Sequence, residues 1–276
     1  MTLNLPVFPD LKGQVAVITG GGGAICGAIA EGLSYSGVRV AIWDISAEAA
    51  NATAAGINNN GGDAVGISCN VLKKSDVEDA FSATMDRFDQ VDILVNGAGG
   101  SRKEATTSAV QSFSDIAPEA LMDTVALNYA GSVLPCQAVA EHFSARKAGI
   151  VLNIASIAGE EPLSRAIGYS NGKAAVISFT KWLAVHMARE YSPLIRVNAI
   201  SPGFILTEQN RFLLVDEETT QPTDRGKKII GAVPMGRYGE PEEIVGAALW
   251  LVSKSASFVT GAVVAVDGGF TAESGV

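Results

Sequence analysis

The chain has 276 residues, of which 47% are hydrophobic and 18% charged, enough apolar surface for a sizeable core and too little charge for a disordered chain. Its formal net charge is −9 and no basic stripe runs along it, which argues against nucleic acid as a ligand. The N-terminus lacks a charged segment followed by an apolar one, and no apolar run approaches the roughly 18 residues of a membrane span. A cytoplasmic protein is therefore expected.

Short β-branched runs alternate with long Ala-rich amphipathic stretches. VAVIT (15–19) reads as a buried strand, followed by a Gly-rich turn and a helix near 25–36. VRVAIWD (38–44) is the second strand, with a helix from about 46 to 59. AVGISC (64–69) precedes a helix near 75–88 opened by Ser75, and VDILVN (91–96) precedes a long helical region around 118–146. GIVLNIAS (149–156) leads into a helix near 168–190, and IRVNAIS (195–201) is the sixth strand. A last helix over 240–252 carries Pro241, Glu242 and Glu243 in its first turn, which suits the helix dipole. AVVAV (262–266) closes the series. Nearly continuous apolar strands separated by helices imply an α/β fold: a single-domain, Rossmann-type doubly wound sheet of seven parallel strands with helices on both faces. The stretch 203–239 reads as irregular and charged, the length of a lid or substrate loop.

Cys26, Cys69 and Cys136 are far apart and His142 and His186 stand alone, so neither a disulfide framework nor a metal site is expected. The first strand instead runs into TGGGGAICG (19–27), where small residues let the backbone approach a pyrophosphate and the next helix offers its free N–H groups. The second strand ends in Asp44. A carboxylate there accepts hydrogen bonds from both hydroxyls of an adenosine ribose and repels a 2′-phosphate. No Arg or Lys stands at Gly22, Gly23, Ile45 or Ser46 to offset it, so NAD is expected over NADP.

Tyr169 and Lys173 stand four residues apart in GYSNGKAAV, which puts phenol and ammonium on one helix face. At about 4 Å and an effective dielectric near 20, their attraction would be about 4 kcal/mol in favour of phenolate. Lys173 is expected to draw Tyr169 toward neutrality, where it can act as acid or base.

Taken together, TGGGGAIC, Asp44, NGAG (96–99), Asn128 in LNYAG, Ser156 in NIASIAG, Tyr169 with Lys173, PGFILT (202–207) and DGG (267–269) resemble the short-chain dehydrogenase/reductase family over nearly the whole chain. The resemblance implies hydride transfer at a nicotinamide. Tyr169 would be the general acid or base, Lys173 its pKa-lowering partner, Ser156 the donor to the substrate oxygen, and Asn128 a break in its helix that holds a water. The cofactor would lie against Gly20, Gly22, Gly23, Ala24, Ile25, Asp44, Asn70, Val71, Asn96, Ala98, Tyr169, Lys173, Pro202, Gly203, Ile205 and Thr207. Four positions depart from the family pattern. Ala24 and Cys26 stand where Gly is usual, Asn70 where an Asp is usual, and Gly97 where a second Asn is usual.

NGAGG, FTKWLAVHMA, PGFILTEQNR, PMGRYGEPEE and VDGGFTAESGV are similar to the fructuronate reductase branch, also called D-mannonate oxidoreductase. This implies a sugar-acid substrate. Arg102, Arg165, Gln209 and Arg211 are the candidate substrate residues, with Arg211 favoured as the carboxylate ligand because its guanidinium fork matches that group. Other readings stay open: a reductase of a ketoacyl thioester, polyol or ketose, or a dinucleotide-binding protein without catalysis. The family implies a homotetramer assembled through the long helices and the last helix and strand.

Overall fold

Alternate residues of the first strand face opposite sides of one sheet, and this alternation organises the molecule. The structure is a computed structural model that describes residues 8–108, 110–207, 211, 214–216 and 219–273. Seven parallel strands, β1 (Val15–Thr19), β2 (Arg39–Asp44), β3 (Ala64–Ser68), β4 (Ile93–Asn96), β5 (Gly149–Ile154), β6 (Ile195–Pro202) and β7 (Val263–Val266), lie in the order β3-β2-β1-β4-β5-β6-β7. Ala16 and Ile18 of β1 join one core with Ile29, Leu33 and Leu249. Val15 and Val17 join the other with Phe143, Phe179 and Met187. Each large aliphatic side chain so buried contributes about 1.5–3 kcal/mol, which is why both faces must be covered.

The first face is covered by α1 (Ala24–Tyr35), α2 (Ala47–Asn59) and α7 (Val245–Val252), the second by α3 (Lys74–Phe88), α4 (Pro118–Arg146) and α5 (Ile167–Glu190). No helix among the described residues is long and apolar enough to cross a membrane. Helices α4 and α5 meet at two glycines. A Cβ on Gly168 would lie 3.1 Å from Thr124 Cβ, and one on Gly172 would lie 2.8 Å from Asn128 Cβ. This close crossing holds Asn128 against the turn that carries Tyr169 and Lys173.

Three local expectations change. Ser75 does not cap α3: the helix starts at Lys74 with Lys73 at the cap position, and the Ser75 hydroxyl donates to Asp76 at 3.3 Å. The last helix begins as a 3-10 turn, Pro241–Ile244, closed by a Glu240/Glu243 capping box, before α7. The stretch 203–239 contains α6 (Asp224–Ala232), capped by the Thr223 hydroxyl accepting from Gly226 N at 3.1 Å. Its charged face had hidden the helical pattern.

Candidate active site

Strand order reverses between β1 and β4, the position where open α/β sheets bind their ligands. Thr19, fully buried at the end of β1, ties the two strands together. Its hydroxyl oxygen accepts from Gly97 N at 3.1 Å and Ala98 N at 3.2 Å. Gly20 follows with φ +65°, and a Cβ there would lie 2.9 Å from Ala98 Cα. Only glycine fits both the dihedral and the space. Gly23 caps α1 without a side-chain bond, and the first turn carries no acid. The positive end of α1 thus faces the groove uncompensated.

Asp44 is fixed at the tip of β2 by two backbone donors. Gly22 N bonds Oδ2 at 3.0 Å and Ser46 N bonds Oδ1 at 2.9 Å. A carboxylate has about four acceptor sites, so each oxygen can accept once more, as a ribose diol requires. Ala24 is exposed, so its methyl does not crowd the packed side of the loop, whereas Cys26 is buried. Asn70 turns its amide oxygen to Leu72 N at 3.0 Å, and Val71 is buried.

The Asn96 side chain is engaged within the protein. It is 1% exposed, and its side-chain nitrogen donates to Cys136 Sγ at 3.1 Å and Asn153 Oδ1 at 2.9 Å. Asn153 in turn donates to Thr180 Oγ1 at 2.8 Å, and Thr180 donates to the Val176 carbonyl at 2.8 Å. The amide faces the second core, not the groove, and forms a buried polar spine from β4 through β5 to α5. Sequence reasoning missed Thr19, Asn153 and Thr180. The available signal was a polar residue inside an otherwise apolar buried run.

Ser156, Tyr169 and Lys173 lie close together beyond the C-terminal end of β5. Ser156 follows β5 and accepts from Ala158 N at 3.1 Å, which leaves its own proton free to be donated. A Cβ on Gly159 would lie 2.7 Å from the Lys173 carbonyl carbon, so this turn can seat against α5 only with glycine. Lys173, 5% exposed, donates to the Ile154 carbonyl at 2.7 Å. Its Nζ stands 5.7 Å from the Tyr169 ring centroid, toward the ring rather than beyond it.

The charge balance differs from the expected one. Burial pushes the Tyr169 phenol above its ordinary value, and hydrogen bonding with Ser156 offsets only part of this. Burial also lowers the Lys173 ammonium to about 8. Desolvation penalises whichever form is charged, so it acts on the two groups in opposite directions. Ser156 is a neighbour that favours phenolate in this arrangement.

Asn128 does not interrupt its helix, because α4 continues through it and on past Pro135. Its side chain donates to the carbonyls of Gly100 at 2.9 Å and Thr124 at 2.8 Å, and accepts from Gly100 N at 3.1 Å. These bonds brace the helix and the loop after β4 together. The Asn128 carbonyl accepts from the Ser132 hydroxyl at 3.0 Å.

Pro202 ends β6. Gly203 passes so close to Asp267 that a Cβ would lie 2.6 Å from its Cα. Ile205 is buried and bridges to Gly239. Leu206 N bonds the Gly239 carbonyl at 2.9 Å and Gly239 N the Phe204 carbonyl at 3.0 Å. The two ends of 203–239 are therefore stitched together at the base, with Thr207 just beyond. Arg102 is exposed on the loop after β4. Arg165 is exposed at φ +77°, its carbonyl accepting from Thr107 N at 3.0 Å, beside a cavity of about 250 Å³. Arg211 is exposed, with its backbone N on the Thr207 carbonyl at 2.9 Å. Gln209 lies outside the described residues. Arg102 and Arg165 stand on separate loops, and Arg211 is helical within 203–239. A cavity of about 380 Å³ lined by Phe204, Ile205, Met235 and Asp267 opens between the ends of β6 and β7. It holds neither Ser156 nor Tyr169, so its volume does not make it the reaction site.

Comparison with known proteins agrees with this geometry. A family model described as enoyl-(acyl carrier protein) reductase matches residues 22–271. An uncharacterized oxidoreductase of Haemophilus influenzae is 39% identical over 100% of this chain and 99% of its own. The 5-keto-D-gluconate 5-reductase of Escherichia coli K12 is 33% identical over 94% of this chain and 96% of its own. A Haemophilus crystal structure with bound NAD, provisionally assigned as a D-mannonate oxidoreductase, superposes with a TM-score of 0.90 at 38% identity, covering 97% of this chain and 98% of that one.

Proposed function

The chain belongs to the short-chain dehydrogenase/reductase family, and from that premise we propose that it moves a hydride between NAD and a sugar acid of the fructuronate/mannonate kind, with Tyr169 handling the proton. It is an oxidoreductase of alcohol and carbonyl groups. The observation that carries the mechanistic reading is the convergence of Ser156, Tyr169 and Lys173 at the mouth of one strand crossing.

The groove fits a dinucleotide. Gly20 lets the turn after β1 pack directly on Ala98, the free end of α1 suits a pyrophosphate, and the Asp44 carboxylate is pre-aimed by two N–H groups. Tyr169, Lys173, Pro202, Gly203, Ile205 and Thr207 would hold the nicotinamide end. When bound, the nicotinamide supplies or accepts the hydride. In reduction, Tyr169 gives its phenolic proton to the substrate carbonyl oxygen while Ser156 donates a hydrogen bond to that same oxygen. The Lys173 ammonium, steadied on the Ile154 carbonyl, balances the phenolate left behind. Oxidation runs these proton movements in reverse.

NAD is favoured over NADP because a 2′-phosphate would meet the Asp44 carboxylate with no cation on Ile45 or Ser46 to receive it. A sugar acid is favoured by the two sugar-acid relatives and by the exposed cations Arg102, Arg165 and Arg211. Arg211, in the stitched segment 203–239 that we read as the lid, is the preferred carboxylate partner. A second reading, a neutral polyol, is supported by the 34% identity to a D-threitol dehydrogenase of Mycolicibacterium smegmatis. Exposed Met122 and Tyr129 on α4, Trp182 and Val185 on α5, and Trp250 on α7 suit burial in a homotetramer. Three free, buried cysteines suit a reducing compartment, and the cytoplasm is the proposed setting.

The test is an NADH oxidation screen against fructuronate, 5-keto-gluconate and neutral ketoses. The expected result is the highest kcat/KM on a keto-acid. A neutral ketose turned over better than every keto-acid would overturn the substrate assignment.

A further inference from the structure

Two of the departures from the family pattern touch each other. Cys26 is the third residue of α1 and 4% exposed. Gly97 follows β4. A Cβ built on Gly97 would lie 1.9 Å from Cys26 Sγ, inside any permitted contact, 3.1 Å from the Thr19 carbonyl oxygen, a tight one, and 3.5 Å from Cys26 Cβ, an ordinary one. The thiol sulfur therefore occupies the space that a side chain at 97 would need, while the rest of Cys26 does not.

We propose that Cys26 and Gly97 form a paired positioning element that sets the floor of the dinucleotide groove, the thiol filling the space left by the missing side chain at 97. The turn at 97–98 hangs from Thr19 Oγ1 by two backbone N–H groups, and Ala98 lies directly against Gly20. Pushing residue 97 away from Cys26 would strain both contacts, and with them the loop that faces the pyrophosphate. The sulfur has little freedom to escape. A helical residue rarely adopts one of its three χ1 wells, one of the other two is occupied, and Cys26 is packed in the first core with Ile18 and Ile29. Burial also pushes its thiol up to about 12, in keeping with a neutral filler and not a nucleophile.

The proposal rests on the dinucleotide reading of the groove, so its test has one arm without nucleotide. Wild type, Cys26→Ala, Gly97→Ala and the double variant are compared for thermal midpoint alone and for NADH affinity by fluorescence titration. Gly97→Ala is expected to lower the midpoint and weaken NADH binding at least tenfold, with kcat at saturating NADH within threefold of wild type. In the double variant the clash with the thiol is gone and only the tight 3.1 Å approach to the Thr19 carbonyl oxygen remains, so its midpoint should recover most of the loss seen in Gly97→Ala and its NADH affinity should return to within threefold of Cys26→Ala. If Gly97→Ala alone fails to fold, recovery of folded, NADH-binding double variant reads the same rescue. A Gly97→Ala protein that matches wild type, or a double variant no better than Gly97→Ala, would overturn the pairing. Wild type that binds no NADH but shows rescue of the midpoint would sink the dinucleotide reading and leave the packing pair standing.

Discussion

The Lys173 ammonium donates to the Ile154 carbonyl at 2.7 Å, fastening the helix that carries Tyr169 to the strand that leads into Ser156. One buried bond thus holds Tyr169 at a set separation from Ser156, the two groups proposed to act on the substrate oxygen. It also fixes where the cost of burying a charge falls, since Lys173 is 5% exposed and lowered to about 8.

That cost makes stability depend on pH. The folded value of about 8 lies below the ordinary 10.5, so between them the unfolded chain holds more protons. Raising the pH through that window therefore favours the folded state. Compared with Lys173→Met, the wild type should gain about 1 kcal/mol between pH 7 and pH 9. Burial raises the Cys69 and Cys136 thiols to about 11 and about 12, and the stability they lose as pH rises through about 9 is common to both proteins. Because the Lys173 charge also acts on the Cys26 thiol, both proteins are compared in a Cys26→Ala background. Urea unfolding at the two pH values checks this. A difference between the proteins that stays constant, or moves the other way, contradicts it.

Asp44 bears the ribose end of the cofactor assignment. Asp44→Ala removes a charged acceptor whose hydrogen bonds are worth about 1.5–3 kcal/mol each, and releases Gly22 N and Ser46 N. The KM for NAD should rise roughly 30-fold, matching about 2 kcal/mol, while the NADP KM should fall or hold. Steady-state kinetics with both cofactors measures the ratio. An unchanged preference would remove Asp44 from the site.

Thr180 holds the far end of the buried spine. Thr180→Val keeps the shape but leaves Asn153 Nδ2 without its 2.8 Å acceptor. A buried unsatisfied donor costs about 1–3 kcal/mol, and urea denaturation should show a loss of that size. A loss under about 0.5 kcal/mol would mean that α5 does not depend on this bond.

Much of this architecture was legible in the residues themselves. Runs such as VAVIT and GIVLNIAS can only be strands covered on both faces, and the order Asp44, Asn128, Ser156, Tyr169, Lys173 carried the reaction class. What stayed hidden depends on burial and on partners distant in sequence. Asn96 sits in a cofactor motif, yet its amide turns to Asn153, a neighbour that only the β4–β5 register supplies. The family resemblance implies a break in α4 at Asn128, but the helix runs on through it, braced by bonds to Gly100 and Thr124. The four-residue spacing of Tyr169 and Lys173 suggests mutual attraction, whereas burial is the largest influence on each, raising the phenol and lowering the ammonium. Cys26 and Gly97 each read as a defect until the fold brings them together.

The central claim is that Tyr169 moves the proton in the reaction. Tyr169→Phe keeps the ring against Lys173 and removes only the hydroxyl, so NADH affinity should stay within about threefold. Turnover should fall by at least about 100-fold, the size of a lost general acid. The decisive measurement is single-turnover NADH oxidation by this variant with the best keto-acid, alongside an NADH titration of the same sample. A collapsed rate with intact binding is the predicted result. A variant that retains more than about a tenth of wild-type turnover would contradict the account, because chemistry of this kind needs a group worth at least 10²-fold at that position.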